Sequence, residues 1–272
     1  MKTLIKNRTE LQRASRWDID FHLPAEGITQ FPREILKRVD QVAEVGKNKR
    51  DPGKSTDNTF QYLDISSVDV MSGSIVNPQE VDTVDAPSRA RKVVRAFDLM
   101  ISTCRPTRGA IAVVPPKFHD QIASTGFSII RAKPGTNPFY LHFALRLPST
   151  LEQFRKWSTG SSYPAILDED VAKTLIPVPS PEEQDEIAKL VVQALQAREA
   201  TVHAANEVWN KTLDAITSRL SGVPISAHID EEIDVTPIPH NIAEIEALLE
   251  TLPPLTSDRT AAKSIQIELS DI

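Results

Sequence analysis

Several short stretches in the first half of the chain alternate apolar and polar residues with period two. Phe60-Gln61-Tyr62-Leu63-Asp64-Ile65 alternates as a half-buried strand does. Gly109-Ala110-Ile111-Ala112-Val113-Val114 is a continuous apolar run stopped by Pro115-Pro116, which fits a fully buried strand. Phe127-Ser128-Ile129-Ile130-Arg131-Ala132 predicts another. Val42 to Val45, and Ser74-Ile75-Val76 after a turn near Ser72-Gly73, are shorter candidates. Residues 89–103 begin basic and end apolar. Across residues 1–40, Pro24 and Pro32 limit any long helix.

The pattern then changes to helical. Pro138 fits the first turn of a helix running to about Leu147, with Asn137 as its cap. Ser149 with Glu152 forms a capping box for a second helix ending near Gly160. Asp168 to Lys173 predicts a short helix. Ser180-Pro181-Glu182-Glu183 carries an N-cap serine, proline at N1 and glutamate at N3. No proline or glycine follows until Gly222, so a helix of about 39 residues, roughly 58 Å long, is predicted. Leu195, Val202, Trp209 and Ile216 recur every seven residues, and Leu213 and Leu220 widen the stripe. One narrow stripe on so long a helix needs a second helix to cover it. A partner chain is the expected cover; folding back on the chain's own domain is the alternative. The expected fold class is α+β: a globular domain over residues 1–180, a long coiled-coil-like helix over 181–222 and an acidic, partly disordered tail over 223–272. A short amphipathic helix is expected within that tail, Asn241 to Leu252.

Charge changes the picture more than composition does. The chain has 272 residues and a formal net charge of -6. Residues 85–160 nevertheless hold twelve Lys and Arg against four Asp and Glu, and residues 223–272 hold two against ten. A basic block inside an acidic chain is either a polyanion-binding face or a solvated surface. Within it, Ser88-Arg89-Ala90-Arg91-Lys92 and Arg105-Pro106-Thr107-Arg108-Gly109 set cations beside hydroxyls and glycine. Thr159-Gly160-Ser161-Ser162-Tyr163 is a small-polar loop preceded by Arg155 and Lys156. Guanidinium forks suit phosphates and guanine edges, and hydroxyls suit phosphates and adaptable base contacts. The candidate DNA contacts are Arg89, Arg91, Lys92, Arg105, Thr107, Arg108, Lys156, Ser161 and Ser162. Of these, Arg91 and Lys92 are expected to position the backbone. The polar loop over residues 46–58, with Lys47, Lys49, Arg50 and Lys54, is a further candidate for phosphates.

Catalytic signatures fail one by one. Gly53-Lys54-Ser55-Thr56 ends like a phosphate-binding loop, but Asn48 stands where its first glycine is needed. Asn137-Pro138-Phe139-Tyr140 is similar to the Asn-Pro-Pro-aromatic motif of amino methyltransferases, yet lacks the second proline. No glycine-rich loop is present to hold a methyl donor. None of the six histidines pairs with another at ligand spacing, and Cys104 is the only cysteine, so no metal site is expected. No apolar run is long enough to span a bilayer, and a cytoplasmic location with no membrane partner is expected.

The order of these segments resembles one target-recognition half of the specificity subunit of a type I restriction-modification enzyme. The resemblance is carried from Arg16-Trp17-Asp18-Ile19-Asp20-Phe21-His22, through Val39 to Val45 and Tyr62-Leu63-Asp64-Ile65, to Ser88-Arg89-Ala90-Arg91. It continues in Asp98-Leu99-Met100-Ile101-Ser102-Thr103-Cys104-Arg105-Pro106, with Phe97 where the family has glycine. It closes with Ser161 to Ile166 and with Ile176-Pro177-Val178-Pro179-Ser180-Pro181-Glu182-Glu183-Gln184, the family's entry into its spacer helix. The resemblance spans roughly Arg16 to Gly222 and covers one recognition domain and one helix, where full-length members have two of each. It implies a non-catalytic subunit that reads double-stranded DNA and holds no cofactor. The methyl donor and the chemistry would lie on partner methyltransferase and restriction subunits. It also implies a homodimer, or pairing with another half-subunit, through Leu195, Val202, Trp209, Leu213, Ile216 and Leu220. The alternatives are an interaction or assembly factor that binds a methyltransferase through the long helix without reading DNA and, more remotely, a degenerate methyltransferase.

Overall fold

The computed structural model describes residues 5–14, 16–55, 57–222 and 238–255. The chain opens with two short helices, α1 (Arg8–Ala14) and α2 (Ile19–His22). Strand β1 (Leu36–Arg38), the one-turn helix α3 (Val39–Val42) and β2 (Ala43–Val45) follow. Then come β3 (Thr59–Leu63), β4 (Gln79–Asp82), β5 (Ala90–Val93), β6 (Leu99–Ser102), β7 (Ile111–Val113), β8 (Ile122–Ser124) and β9 (Phe127–Ala132). The C-terminal part holds α4 (Pro138–Leu145), α5 (Pro148–Trp157), α6 (Asp168–Lys173), β10 (Leu175–Pro177), α7 (Pro181–Ser221) and α8 (Ile242–Thr251).

The strands form two four-stranded sheets and a small ribbon. The first sheet has the order β2-β9-β6-β7 and is antiparallel throughout. The second has the order β4-β3-β8-β5, with β3 and β8 parallel. Strands β1 and β10 pair separately. Period-two side-chain alternation explains the layering. On the first sheet Leu99, Ile101, Ile111, Val113 and Ile130 face one way and join Leu141, Leu145, Phe154 and Val171 of the helices. Met100, Ala112, Ile129 and Phe127 face the other way and meet Leu63, Ala123 and Phe118 around the second sheet. Both faces of β6 and β7 are therefore dry, which is why β7 and all of β6 but Ser102 read as apolar.

Asp98 is fully buried at the start of β6, and its carboxylate accepts both guanidinium donors of Arg131 at 2.8 and 2.9 Å and the Arg95 amide at 2.9 Å. Its neighbour Phe97 has φ +64°, the left-handed region that glycine enters without strain. The buried Phe97 ring stands edge-on to Phe139 at 6.0 Å, so packing holds a conformation that the side chain itself disfavours. Where the family resemblance places a glycine, this chain keeps the glycine-type backbone and uses the position for its core.

Several boundaries differ from the sequence expectation. Helix α5 begins at Pro148 in the N1 position, so Ser149 lies inside the first turn, buried, and its hydroxyl has no hydrogen-bond partner. Glu152 pairs with Arg155 instead of closing a capping box. Ser74–Val76 contributes only a single bridge, Val68 to Ile75. For α7 the Ser180 hydroxyl accepts from the Glu183 amide at 3.3 Å, and Gly222 stops the helix with φ +69°. Within α7, Gln184, Ala188 and Val192 are buried against the domain, while Val202, Trp209, Leu213, Ile216 and Leu220 are exposed and Leu195 is half-buried. No described part of the domain covers the outer half of that stripe.

The expected tail lies outside the described residues except for 238–255. Those residues hold α8, with Ile245 buried in the helical core and Leu248, Leu249 and Leu252 packed on it. This part of the acidic segment is docked on the globular domain rather than loose.

Candidate nucleic-acid interface

Three loops at one end of the sheets carry six of the nine candidate residues. The turn between β6 and β7 holds Arg105, Thr107 and Arg108. Arg105 sits in the left-handed region, φ 49° and ψ 52°, ahead of a 3-10 turn over Pro106–Arg108 that ends on Gly109 at φ +73°. This tight turn leaves Thr107 and Arg108 exposed.

The second loop follows α5. Thr159 and Ala165 exchange two backbone hydrogen bonds of 2.9 Å and close a loop over residues 160–164. Gly160 has φ +91°, and a β-carbon there would stand 3.0 Å from the Tyr163 carbonyl, so the closure requires glycine. Ser161, Ser162 and Tyr163 are exposed. This loop is fastened to the first. The Arg105 amide donates to the Pro164 carbonyl at 2.7 Å, and the Arg105 guanidinium lies 4.9 Å from the centre of the Tyr163 ring and 3.4 Å from the Ser162 carbonyl.

The third element is the entry to β5. The Arg89 carbonyl accepts from the Thr125 amide at 2.8 Å, and the next carbonyl along, Gly126, accepts from the amide and hydroxyl of Thr103. Arg89 is thereby tied, through the β8–β9 turn, to the end of β6 that leads into Arg105. Arg89, Arg105, Thr107, Arg108, Ser161 and Ser162 thus lie on adjoining exposed loops.

The remaining three candidates are engaged within the protein. Arg91 donates to the Ala90 carbonyl at 2.7 Å and faces Asp51 at 3.5 Å. Lys92 donates to the Phe127 carbonyl at 2.6 Å and lies 3.6 Å from Asp168. Lys156 is a correction: its ammonium is buried and donates to the carbonyls of Asp20, Leu23 and Pro24 at 2.8, 3.0 and 3.3 Å. It ties α5 to the N-terminal segment and has no free face for a nucleic acid. Beside it, the hydrogen bond from Arg155, together with the Lys156 ammonium, holds the Asp20 carboxyl below the usual carboxylate range.

One neighbour was not singled out from the sequence: Tyr163 presents an exposed ring supported by Arg105. Lys49, from the loop already considered for phosphates, is exposed and pairs with Lys92 alongside β5. The sequence signal for Tyr163 was its position in a loop of small polar residues, where an apolar ring has no core to enter.

The methyltransferase-like Asn137-Pro138-Phe139-Tyr140 segment has a different task. Asn137 is fully buried, and its side-chain oxygen accepts from the Phe139 and Tyr140 amides at 2.9 and 3.2 Å. Its side-chain nitrogen donates to the Asp185 carboxylate and the His240 carbonyl, both at 2.7 Å. Four bonds use the whole capacity of the amide, so none remains for a base. Among the described residues, no group of three or more His, Cys, Asp and Glu is placed to hold a metal ion, and no helix is long and apolar enough to cross a membrane.

No family model matches the chain. The specificity subunit of the type I restriction enzyme HindI from Haemophilus influenzae is 25% identical over 161 residues, which is 57% of this chain and 34% of that protein. The HsdS subunit of Thermoanaerobacter tengcongensis superposes with a TM-score of 0.51 at 33% identity, over 74% of this chain and 51% of the other. A chain from a structure addressing complex assembly and conformational transition of the type I restriction-modification system gives 0.54 at 34% identity, with the same coverage. The chain therefore spans about a third of its curated relative and half of each of these solved chains. By the order of its segments, its fold and these likenesses, the chain is similar to one half of a type I restriction-modification specificity subunit.

Proposed function

We propose that this chain recognises double-stranded DNA as the specificity subunit of a type I restriction-modification complex. It has no catalytic role of its own; methyl transfer, the methyl donor and cleavage belong to partner subunits. The observation that carries this reading is the fastening of the Arg105 turn to the Ser161–Tyr163 loop, with Arg89 beside them. This surface offers guanidinium forks and hydroxyls at one edge, the chemistry that phosphates and groove edges require. Exposed Arg89 and Arg108 hold phosphates, while Thr107, Ser161, Ser162 and the Arg105–Tyr163 stack supply adaptable contacts.

Two copies pair through α7. Within the stripe Leu195 lies seven residues before Val202 and Trp209 seven after, while Leu213, Ile216 and Leu220 extend it on the C-terminal side alone. An antiparallel pair centred there sets Leu195 of one helix against Trp209 of the other and covers Val202 with its own counterpart. The two recognition surfaces then lie at opposite ends of the helix pair, as a two-part DNA target requires.

The test is charge reversal at both loop arginines. Arg105→Glu/Arg108→Glu, folded by circular dichroism, is titrated with duplex DNA by fluorescence anisotropy over a salt series. Binding is expected to weaken by at least tenfold at 0.1 M salt, with a shallower salt dependence. Unchanged binding and slope would remove the DNA-reading role and leave a subunit that only assembles.

A further inference from the structure

Residues 238–255 follow a docked path whose two ends are both fixed. At the start, the Ile242 amide donates to the Asp185 carboxylate at 3.0 Å, the same oxygen that accepts from Asn137. In the middle, Glu246 accepts from the Gly135 amide at 3.1 Å, and Ile245 is buried. At the far end the Pro253 carbonyl meets the His119 ring at 2.8 Å. A cleft of about 420 Å³ lies beside α8, lined by Arg95, Arg131, Lys133 and one acid, Glu44, from the domain and by Glu246 and Glu250 from α8. Apolar burial and charge complementarity together make this a seat for an acidic amphipathic helix.

The contacts are the same whichever copy supplies the helix; only the route to the seat differs. Asp185 lies near the root of α7, and Gly222 lies thirty-seven residues further along the same continuous helix. At 1.5 Å per residue the two are about 55 Å apart. The twenty residues from Gly222 to Ile242 reach at most ~66–72 Å. Returning to the seat on its own copy therefore demands roughly three-quarters of full extension. That span is about twice the ~25 Å that a relaxed, flexible chain of this length covers.

In the antiparallel pair proposed above, on which this inference rests, the route is short. Pairing centred on Val202 brings Gly222 of the partner subunit opposite Glu182, with the helix axes about 8–10 Å apart. Twenty residues then reach the seat at Asp185 without stretching. We propose that α8 docks in trans: the acidic helix of each copy fills the seat on the recognition domain of the other, and the two copies clasp each other at both ends of the helix pair.

Thiol cross-linking of the full-length chain tests this. Cys104→Ser removes the only cysteine; Pro134→Cys and Glu246→Cys then place one thiol beside the seat and one on α8. A short bismaleimide is expected to give a product of twice the 30.2 kDa chain mass. In a second variant, ten residues between 225 and 236 are deleted from the connecting segment. The shortened connection spans at most ~36 Å, too little for the route within one copy, so the doubled product is expected to persist. Cross-linked product at single-chain mass from a chain that sediments as a dimer overturns docking in trans and leaves the helix pairing intact. A chain that sediments as a monomer overturns both. Absence of any cross-link shows that α8 leaves the seat, and also overturns the proposal.

Discussion

Two cations that composition treats alike are placed by the structure in opposite environments, and exchanging each for a neutral side chain separates their roles. Arg108 is exposed at the tip of the β6–β7 turn. Lys156 is 7% exposed and surrounded by three carbonyls. Each phosphate contact adds about 0.9 to the magnitude of the slope of log K against log salt. Arg108→Ala is therefore expected to lower that slope by ~0.9 per copy and to weaken duplex binding roughly fivefold at 0.15 M salt, with no change in the urea midpoint. Lys156→Met should do the reverse. Its ion pair with Asp20 involves a carboxylate that is 53% exposed and contributes little. The hydrogen bonds from a buried charged donor to three carbonyls contribute more, and their loss leaves polar groups partly desolvated; a cost of about 2–4 kcal/mol follows. The assays are fluorescence anisotropy with nonspecific duplex over 50–300 mM salt and urea denaturation followed by tryptophan emission. A Lys156→Met protein with full stability and a reduced salt slope would refute the assignment of that ammonium to the fold. An Arg108→Ala protein with an unchanged slope would remove the β6–β7 turn from the interface.

Other perturbations probe the scaffold. Asp98→Ala strands the Arg131 guanidinium, and a loss of about 3 kcal/mol in urea denaturation is expected, largely restored by Asp98→Ala/Arg131→Met. Gly73→Ala would set a β-carbon 2.1 Å from the His142 ring and 2.4 Å from the Ile111 carbonyl at φ +75°, so a fall in melting temperature of ten degrees or more is expected. Burial, reinforced by Arg146, pushes the His142 imidazole down to about 3 from an ordinary value of 6.5. The unfolded chain then binds a proton that the folded one refuses, so stability is full above pH 6.5 and is lost progressively as pH falls towards 3. A His142→Gln variant measured over that window should show a flatter pH dependence than the parent. If two copies pair through α7 as proposed, Trp209→Glu should sediment as a monomer where the parent chain sediments as a dimer, because it would place a charge on each side of the pairing.

What could be read from sequence follows from how local each signal is. The Ser180 entry and Gly222 stop of α7 were legible because caps and proline act within one turn. Strand β7 was legible because its apolar run is unbroken. Strand β4, Gln-Glu-Val-Asp at a sheet edge, carries no burial pattern and is fixed by pairing with β3 alone. Ser149 misled because Pro148 beside it satisfies the same helix start from one residue earlier. The basic block pointed to the loops at Arg89, Arg105 and Ser161, which the fold brings side by side. It could not separate them from Lys156, since a charge count does not record whether an ammonium faces water or carbonyls. The docking of α8 depends on Asn137, Gly135 and His119, which lie more than a hundred residues away in the chain.

The saturated amide of Asn137 has a mechanical consequence. It joins the first turn of α4, the root of α7 and the start of α8 at one buried point, and Gln184 adds a bond from the same turn of α7 to the Asn137 amide at 3.1 Å. A rod anchored there acts as a lever about 55 Å long. A pivot of only five degrees at the root would swing its tip by about 5 Å, more than the ~3.4 Å rise of one base pair. If the chain reads DNA as proposed, stiffness at this root, set by Asn137 together with the buried Ala188 and Val192, would decide whether whatever is carried at the far end of the rod arrives in phase with the double helix.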